Sequence, residues 1–143
     1  WRTSFAVEEN GFLEIGDNCF IADASLVCSK QIIIGKQVFI AGGVTIVDSD
    51  FHPLDPLERY KDIIAISPVG DRTKRPIIET QPVIIEDNVW IGFNSTILKG
   101  VIIGNGAIIE PGSLYLMMFY QVRKFQEILQ NQYYEKKHNS VRQ

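Results

Sequence analysis

The sequence predicts an all-β solenoid of short strands, and three observations carry that prediction. An Ile or Val recurs on a six-residue rung eleven times, at Ile15, Ile21, Val27, Ile34, Ile40, Ile46, Ile85, Ile91, Ile97, Ile103 and Ile109, with one slip of a residue between Val27 and Ile34. Four places after the repeat residues comes a small or branched side chain: Cys19, Ser25, Val38, Val44, Val89, Ser95, Val101, Ala107 and Ser113. The corners between rungs end mostly in Gly or Asn, at Asn18, Gly43, Asn88, Asn94, Gly100, Gly106 and Gly112. No helix has a period of six, whereas a stack of short strands buries one apolar row per turn against the next turn. Two inward positions on either side of one outward residue give the period of two that a strand requires. A tight corner needs positive φ, which Gly adopts freely and Asn tolerates. Three rungs close a coil of eighteen residues, so Ile85 stacks under Ile103, Ile91 under Ile109 and Asn88 under Gly106.

Taken in order, residues 1–14 form a lead-in with a turn at Glu8-Glu9-Asn10-Gly11. A first block of coils runs from about Leu13 to Ser49. Residues 50–82 break the repeat and carry Pro53, Pro56, Pro68, Pro76 and Pro82. An interruption of that length inside a compact domain is usually functional. The second block, Val83 to Ser113, completes a β-solenoid domain over residues 1–113 with the long loop inserted between coils. The tail, residues 114–143, changes character: Phe119, Val122, Phe125, Ile128 and Leu129 follow helical spacing, which predicts one amphipathic α-helix from about Tyr115 to Lys136. Such a helix would cap the exposed end of the solenoid; self-association through Leu116-Met117-Met118-Phe119 is the rival reading.

Composition bounds the function classes. The 143 residues are 45% apolar and net −3, enough for one soluble domain. No apolar run approaches the ~20 residues of a membrane span, and no secretory signal opens the chain, which begins at Trp1 and implies further residues in front. With Cys19 in an inward slot and Cys28 at a corner, two free thiols of a reducing, cytoplasmic setting are expected rather than a disulfide. Residues 1–113 carry 9 basic and 15 acidic side chains, net −6, and the tail carries 5 and 2, net +3. A body of that charge argues against nucleic acid as a partner. The basic tail reads as a solvated helix face, with a phosphate or acidic partner as the other possibility.

The chemistry-bearing string is Asp48-Ser49-Asp50-Phe51-His52-Pro53, where the coil opens into the long loop. Imidazole titrates near neutrality, so a positioned His52 can accept a hydroxyl proton and pass it on. His138 lies in the polar tail. Two histidines do not make the three-histidine zinc site of a β-helical anhydrase. Asp48, Asp50 and Asp55 could hold a cation but serve equally well as turn and capping residues. Gly42-Gly43 is a corner and not a phosphate loop. Neither cysteine has a histidine near it in sequence, which disfavours a thiol nucleophile.

The rungs Ile85-Glu86-Asp87-Asn88-Val89-Trp90-Ile91-Gly92 and Ile97-Leu98-Lys99-Gly100-Val101-Ile102-Ile103-Gly104 resemble the hexapeptide-repeat acyltransferases. Phe51-His52-Pro53, followed by a loop and then Val89-Trp90-Ile91-Gly92, is similar to the branch of maltose, galactoside and polysaccharide O-acetyltransferases. The resemblance covers about residues 13–113. It implies a left-handed parallel β-helix, here followed by the C-terminal α-helix, a homotrimer, and acetyl-CoA bound as co-substrate in a groove between subunits, with no metal required. General rules alone would have given a right-handed crossover.

Carried over residue by residue, the resemblance makes His52 the general base for direct attack of an acceptor hydroxyl on the thioester, without an acyl-enzyme. Asp48, Asp50, Asp55 or a main-chain carbonyl would orient its second nitrogen. Trp90, on an outward rung position, would line the acceptor or thioester site, or pack in the trimer interface; Asp50 is the second candidate for binding the acceptor. Gly92, Phe93 and Asn94, stacked beneath the corner that holds Pro111 and Gly112, would run beside the pantetheine arm. Phe93 and Pro111 depart from the small residues common in relatives, since Phe adds bulk and Pro removes a donor, and the tail replaces the usual CoA-phosphate strand. The acceptor implied is a sugar or surface-polysaccharide precursor, and Arg59, Arg72, Lys74 and Arg75 suit an acidic or nucleotide-linked one. The alternative is a non-catalytic β-helical trimeric assembly module that has lost the CoA groove.

Overall fold

The computed structural model describes residues 2–115; the helix expected from about Tyr115 to Lys136 lies outside them, apart from its first residue. The repeat folds as thirteen short strands, β1 (Ser4–Val7), β2 (Phe12–Ile15), β3 (Phe20–Ile21), β4 (Ser25–Cys28), β5 (Gln31–Ile34), β6 (Phe39–Ile40), β7 (Thr45–Val47), β8 (Val83–Ile85), β9 (Trp90–Ile91), β10 (Thr96–Ile97), β11 (Ile102–Ile103), β12 (Ile108–Ile109) and β13 (Leu114–Tyr115). Every third strand joins the same sheet. The orders are β1-β4-β7-β10-β13, β2-β5-β8-β11 and β3-β6-β9-β12, and all ladders between these strands are parallel. The result is a three-faced, left-handed parallel β-helix.

Its core is a single column. Ile32, Ile34, Ile40, Ile46, Ile85, Ile91, Ile97, Ile103 and Ile109 are all essentially inaccessible to solvent, with Val38, Val44, Val89, Val101 and Ala107 buried between them. Ile85 pairs with Ile103 and Ile91 with Ile109, as the eighteen-residue period requires. All seven expected corner residues have positive φ, between 56° and 78°. Asp23, Gln37 and Phe51 join them without Gly or Asn to announce the fact.

The first coil departs from the sequence reading in two ways. Residues 4–7 are not a lead-in but a strand of the first sheet, with the turn at Glu8–Gly11 closed by Gly11 N–H donating to the Glu8 carbonyl at 2.8 Å. The slip also lies elsewhere: Leu26 and Cys28 point inward with Ala24, while Val27 is half-buried and Ser25 exposed. The corner turns one residue early, at Asp23, which reverses the parity of β4. Ladder partners there are nineteen residues apart (Ile15 with Ile34, Ile21 with Ile40) and twenty at Leu26 with Ile46, against eighteen later. Cys28 is therefore a core residue rather than a corner one, and both cysteines are free thiols. Burial, followed by the nearby Asp48 carboxylate, raises the Cys28 pKa.

The interruption at 50–82 is more ordered than its prolines imply. It contains α1 (Pro56–Ile66) and a 3₁₀ turn (Arg72–Lys74). Asp55 caps α1, its carboxylate accepting from Leu57 and Glu58 N–H at 3.0 Å each, and Pro56 takes the first helical position, where its missing N–H costs nothing. The two ends of the insert meet: Ser49 bridges Thr80, Asp50 N–H donates to Glu79 at 3.1 Å and Gln81 N–H to Asp48 at 2.9 Å.

Candidate active site

β7 delivers the chain to the root of the insert, and the next residues are fixed individually. Asp48 is fully buried; its carboxylate accepts from the backbone N–H groups of Ser29, Lys30 and Gln31 at 2.6 to 2.7 Å. It thus welds the corner after β4 to the start of the insert, a structural task remote from the imidazole. The Asp50 carboxylate stands 2.8 Å from the Lys99 ammonium, tying the insert to the coil above. Asp55 is spent on capping α1.

None of these three orients His52. That role falls to Asp62, in the middle of α1, whose Oδ2 lies 2.7 Å from His52 Nδ1. Asp62 is fully buried and is itself gripped by Arg75, Nε to Oδ1 at 2.7 Å and Nη2 to Oδ2 at 3.2 Å. These Arg75 bonds, assisted by His52, hold the Asp62 carboxyl down at about 2 against the opposing effect of burial, and they raise the pKa of Arg75. An anion at Nδ1 places the proton of the neutral imidazole on that nitrogen and leaves Nε2 as the acceptor. The backbone reinforces the arrangement. Phe51 sits at φ +62°, a conformation that costs a bulky L-residue about 1 kcal/mol. Arg75 Nη2 donates to the Phe51 carbonyl at 3.1 Å, and His52 N–H donates to Asp50 at 2.7 Å.

His52 lines a cavity of about 510 Å³ between the first sheet and the insert. Its apolar side is Phe51, Ile66, Pro76 and Ile78; its polar side is Glu8, Ser29, Ser49 and Thr80, with Arg72 and Arg75 completing the wall. Half of the His52 side chain remains accessible. The cavity has the mixed apolar and hydroxyl-rich lining of a site for a polar small molecule.

The other predicted residues stand elsewhere. Trp90 points outward from the third sheet, half-exposed, in a row with Phe20, Phe39 and Ile108 on successive coils. Within one chain it does not line the cavity of His52. Gly92, Phe93 and Asn94 form the corner between the third and first sheets beneath Pro111 and Gly112, as expected: Gly92 N–H donates to Ile109 at 2.8 Å and Gly112 N–H to Phe93 at 2.9 Å. A Cβ on Gly92 would lie 2.6 Å from the Pro111 nitrogen, whereas one on Gly112 would meet nothing within 4 Å. The upper corner therefore presents bare backbone outward, as a slender thioester arm would need, and Phe93 stands more than half exposed beside it.

Asp62 and Arg75, which hydrogen-bond in line with His52, are the pair that the sequence does not announce. A helix signal was present in Asp55-Pro56-Leu57-Glu58, but nothing local marks Asp62 as the residue on its buried face.

The family model "Bacterial transferase hexapeptide (six repeats)" matches residues 82–114. A galactoside O-acetyltransferase of Lactococcus lactis is 31% identical over 125 residues, covering 72% of this chain and 53% of that protein. A putative lipopolysaccharide biosynthesis O-acetyl transferase of Escherichia coli K12 is 32% identical over 108 residues, covering 73% and 50%. Among solved structures, a hexapeptide-repeat acetyltransferase of Vibrio cholerae complexed with acetyl-coenzyme A superposes with a TM-score of 0.59 at 27% identity, over 82% of this chain and 54% of that one. The chain spans about half the length of the curated relatives it matches. By its repeat, its coils and these similarities, the chain is a hexapeptide-repeat protein, and the three relatives named here are acetyltransferases.

Proposed function

We propose that this chain transfers an acetyl group from acetyl-CoA to a hydroxyl of a sugar or surface-polysaccharide precursor, with His52 as general base. The observation that carries the reading is the hydrogen-bonded line Arg75, Asp62, His52 ending on the wall of the cavity. His52 Nε2 takes the acceptor proton, the oxygen attacks the thioester carbonyl carbon, and the tetrahedral oxyanion collapses with cleavage of the C–S bond. The imidazolium then returns its proton to the CoA thiolate. No acyl-enzyme is required. Cys28 is buried in the core, and Cys19 donates its S–H to the Gly35 carbonyl at 3.1 Å.

The thioester would lie along the corners at Gly92-Phe93-Asn94 and Pro111-Gly112. Because Trp90 stands on the third sheet and does not line the cavity that His52 lines from the insert, we place the working site between subunits of a homotrimer, with the half-exposed row Phe20, Phe39, Trp90 and Ile108 available for the contact. Asp50 would act on the acceptor only through the loop it anchors. No described helix is long and apolar enough to cross a membrane, and we assign the protein to the cytoplasm.

Phe93 and Pro111 favour a second reading, a non-catalytic β-helical module without CoA. Two measurements decide between them. His52→Ala is expected to lower acetyl transfer by about 10² to 10⁴. A saturating concentration of CoA is expected to raise the unfolding midpoint, because a ligand of the native state stabilises it by about 2.7 kcal/mol at a hundredfold excess over Kd. Unchanged turnover in the variant removes His52 as the base; no thermal shift with CoA establishes the module.

A further inference from the structure

The insert carries five cations besides His52, and four of them are already engaged. Arg59 donates to the Pro53 and Leu54 carbonyls, Lys61 to Glu58 and Arg75 to Asp62, while Lys74 pairs with Asp71. Among the described residues, Arg72 alone of these five cations has no partner for its side chain, and Arg72 alone of the four unburied ones shares the cavity wall with His52. Its place is fixed: it opens the 3₁₀ turn that Asp71 caps, Asp71 accepting from Thr73 N–H at 3.0 Å, and its own carbonyl accepts from Arg75 N–H. The turn therefore orients Arg72 and Arg75 from one short segment, one toward Asp62 and one left over for the cavity.

A guanidinium presents a planar fork that matches a carboxylate or a phosphate, and it is the side chain that discriminates most strongly between an anionic ligand and its neutral analogue. The rest of the lining suits the rest of a sugar. Ser29, Ser49, Thr80 and the Glu8 carboxylate can bond ring hydroxyls, while Ile66 and Ile78 can cover an apolar ring face. We propose that Arg72 is the specificity-determining residue of this site and that the acceptor is an anionic sugar, whose carboxylate or phosphate pairs with Arg72 while a ring hydroxyl meets His52. The proposal rests on the acetyl-transfer reading above for the role of the hydroxyl, but the anion preference stands on the cavity alone.

The test is calorimetric titration of the full chain with methyl β-D-glucuronide, glucose 1-phosphate and the neutral methyl β-D-glucoside. At least one anionic sugar should bind about tenfold more tightly than the glucoside, the value of one well-formed charge-assisted pair at a partly exposed site. Whether that sugar is the glucuronide or the phosphate identifies the anion. Arg72→Gln should abolish the preference without changing the affinity for the glucoside, and Arg72→Lys should keep part of it. Equal binding of all three sugars, no binding of either anion, or a preference that survives in Arg72→Gln overturns the proposal. An acetyl-transfer assay on the same unsubstituted chain separates the two readings: a wild-type protein that transfers no acetyl yet keeps the Arg72-dependent preference refutes the transfer reading alone.

Discussion

Asp62→Asn isolates what the buried carboxylate does for His52. The substitution keeps the shape of the side chain and an oxygen for Nδ1, but it removes the charge that faces the imidazole at 2.7 Å. Two unit charges about 4 Å apart attract by about 4 kcal/mol at an effective dielectric of 20 and about 1 kcal/mol in water. His52 is 47% exposed, so the loss of imidazolium stabilisation in the transition state falls between those limits, at about 2 kcal/mol, or about 30-fold in kcat. CoA release followed with a thiol reagent measures it, and the KM for acetyl-CoA should stay within twofold. A double-mutant cycle tells positioning from general loosening of the fold. In a His52→Ala background, Asp62→Asn should cost nothing further, because the group it serves is gone. The variant should also change acid stability. The folded carboxyl titrates at about 2 rather than 3.8, so the unfolded chain takes up the proton first. The resulting stabilisation, about 2 kcal/mol, is complete above about pH 4 and is lost as pH falls toward 2. Urea midpoints of the wild type should therefore fall across that window while those of Asp62→Asn stay flatter. Full activity in Asp62→Asn, or an equal 30-fold loss in the His52→Ala background, would falsify the assignment.

Three other substitutions probe the scaffold. Asp48→Ala strands three backbone donors that now share one carboxylate and should cost about 3 kcal/mol in chemical denaturation; a loss below 1 kcal/mol would show that water replaces the carboxylate. Gly92→Ala and Gly112→Ala differ instructively, since the first forces a Cβ against Pro111 while the second meets open space at φ +72°. Gly92→Ala should destabilise by about 1 to 3 kcal/mol through the clash, and Gly112→Ala by about 1 kcal/mol through backbone strain; thermal denaturation ranks them, and the reverse order would contradict the stacking of the two corners.

The coils were legible because the feature that builds them is periodic. Seven Gly or Asn corners and eight buried Ile positions all follow one repeat, and each is dictated by its nearest neighbours above and below. The repeat became unreadable at β4, where Asp23 takes positive φ in place of Gly or Asn and reverses the inward set from Val27 to Leu26 and Cys28. At the site, the place of His52 at the end of a coil was legible in the sequence and its proposed role came from the family resemblance, whereas its partner was not legible. Asp48, Asp50 and Asp55 are nearer in sequence, but their carboxylates serve an N–H cluster, Lys99 and a helix cap. Asp62 reaches His52 because α1 folds back over the root of the insert, and Arg75, thirteen residues on, closes the line. Such contacts depend on how a non-repeating segment packs, which no period encodes.

The bridge between Ser49 and Thr80 makes the insert an excursion that leaves the β-helix and rejoins it at one point. Lengthening a loop whose ends are already joined costs little, about 0.6 kcal/mol for each doubling. His52, Asp62, Arg72 and Arg75 all fall inside that excursion. The segment is thus a cassette: the proposed base, its orienting pair and the arginine proposed to read an anion could be exchanged together for another acceptor's set, while the coils beneath keep their stacking undisturbed.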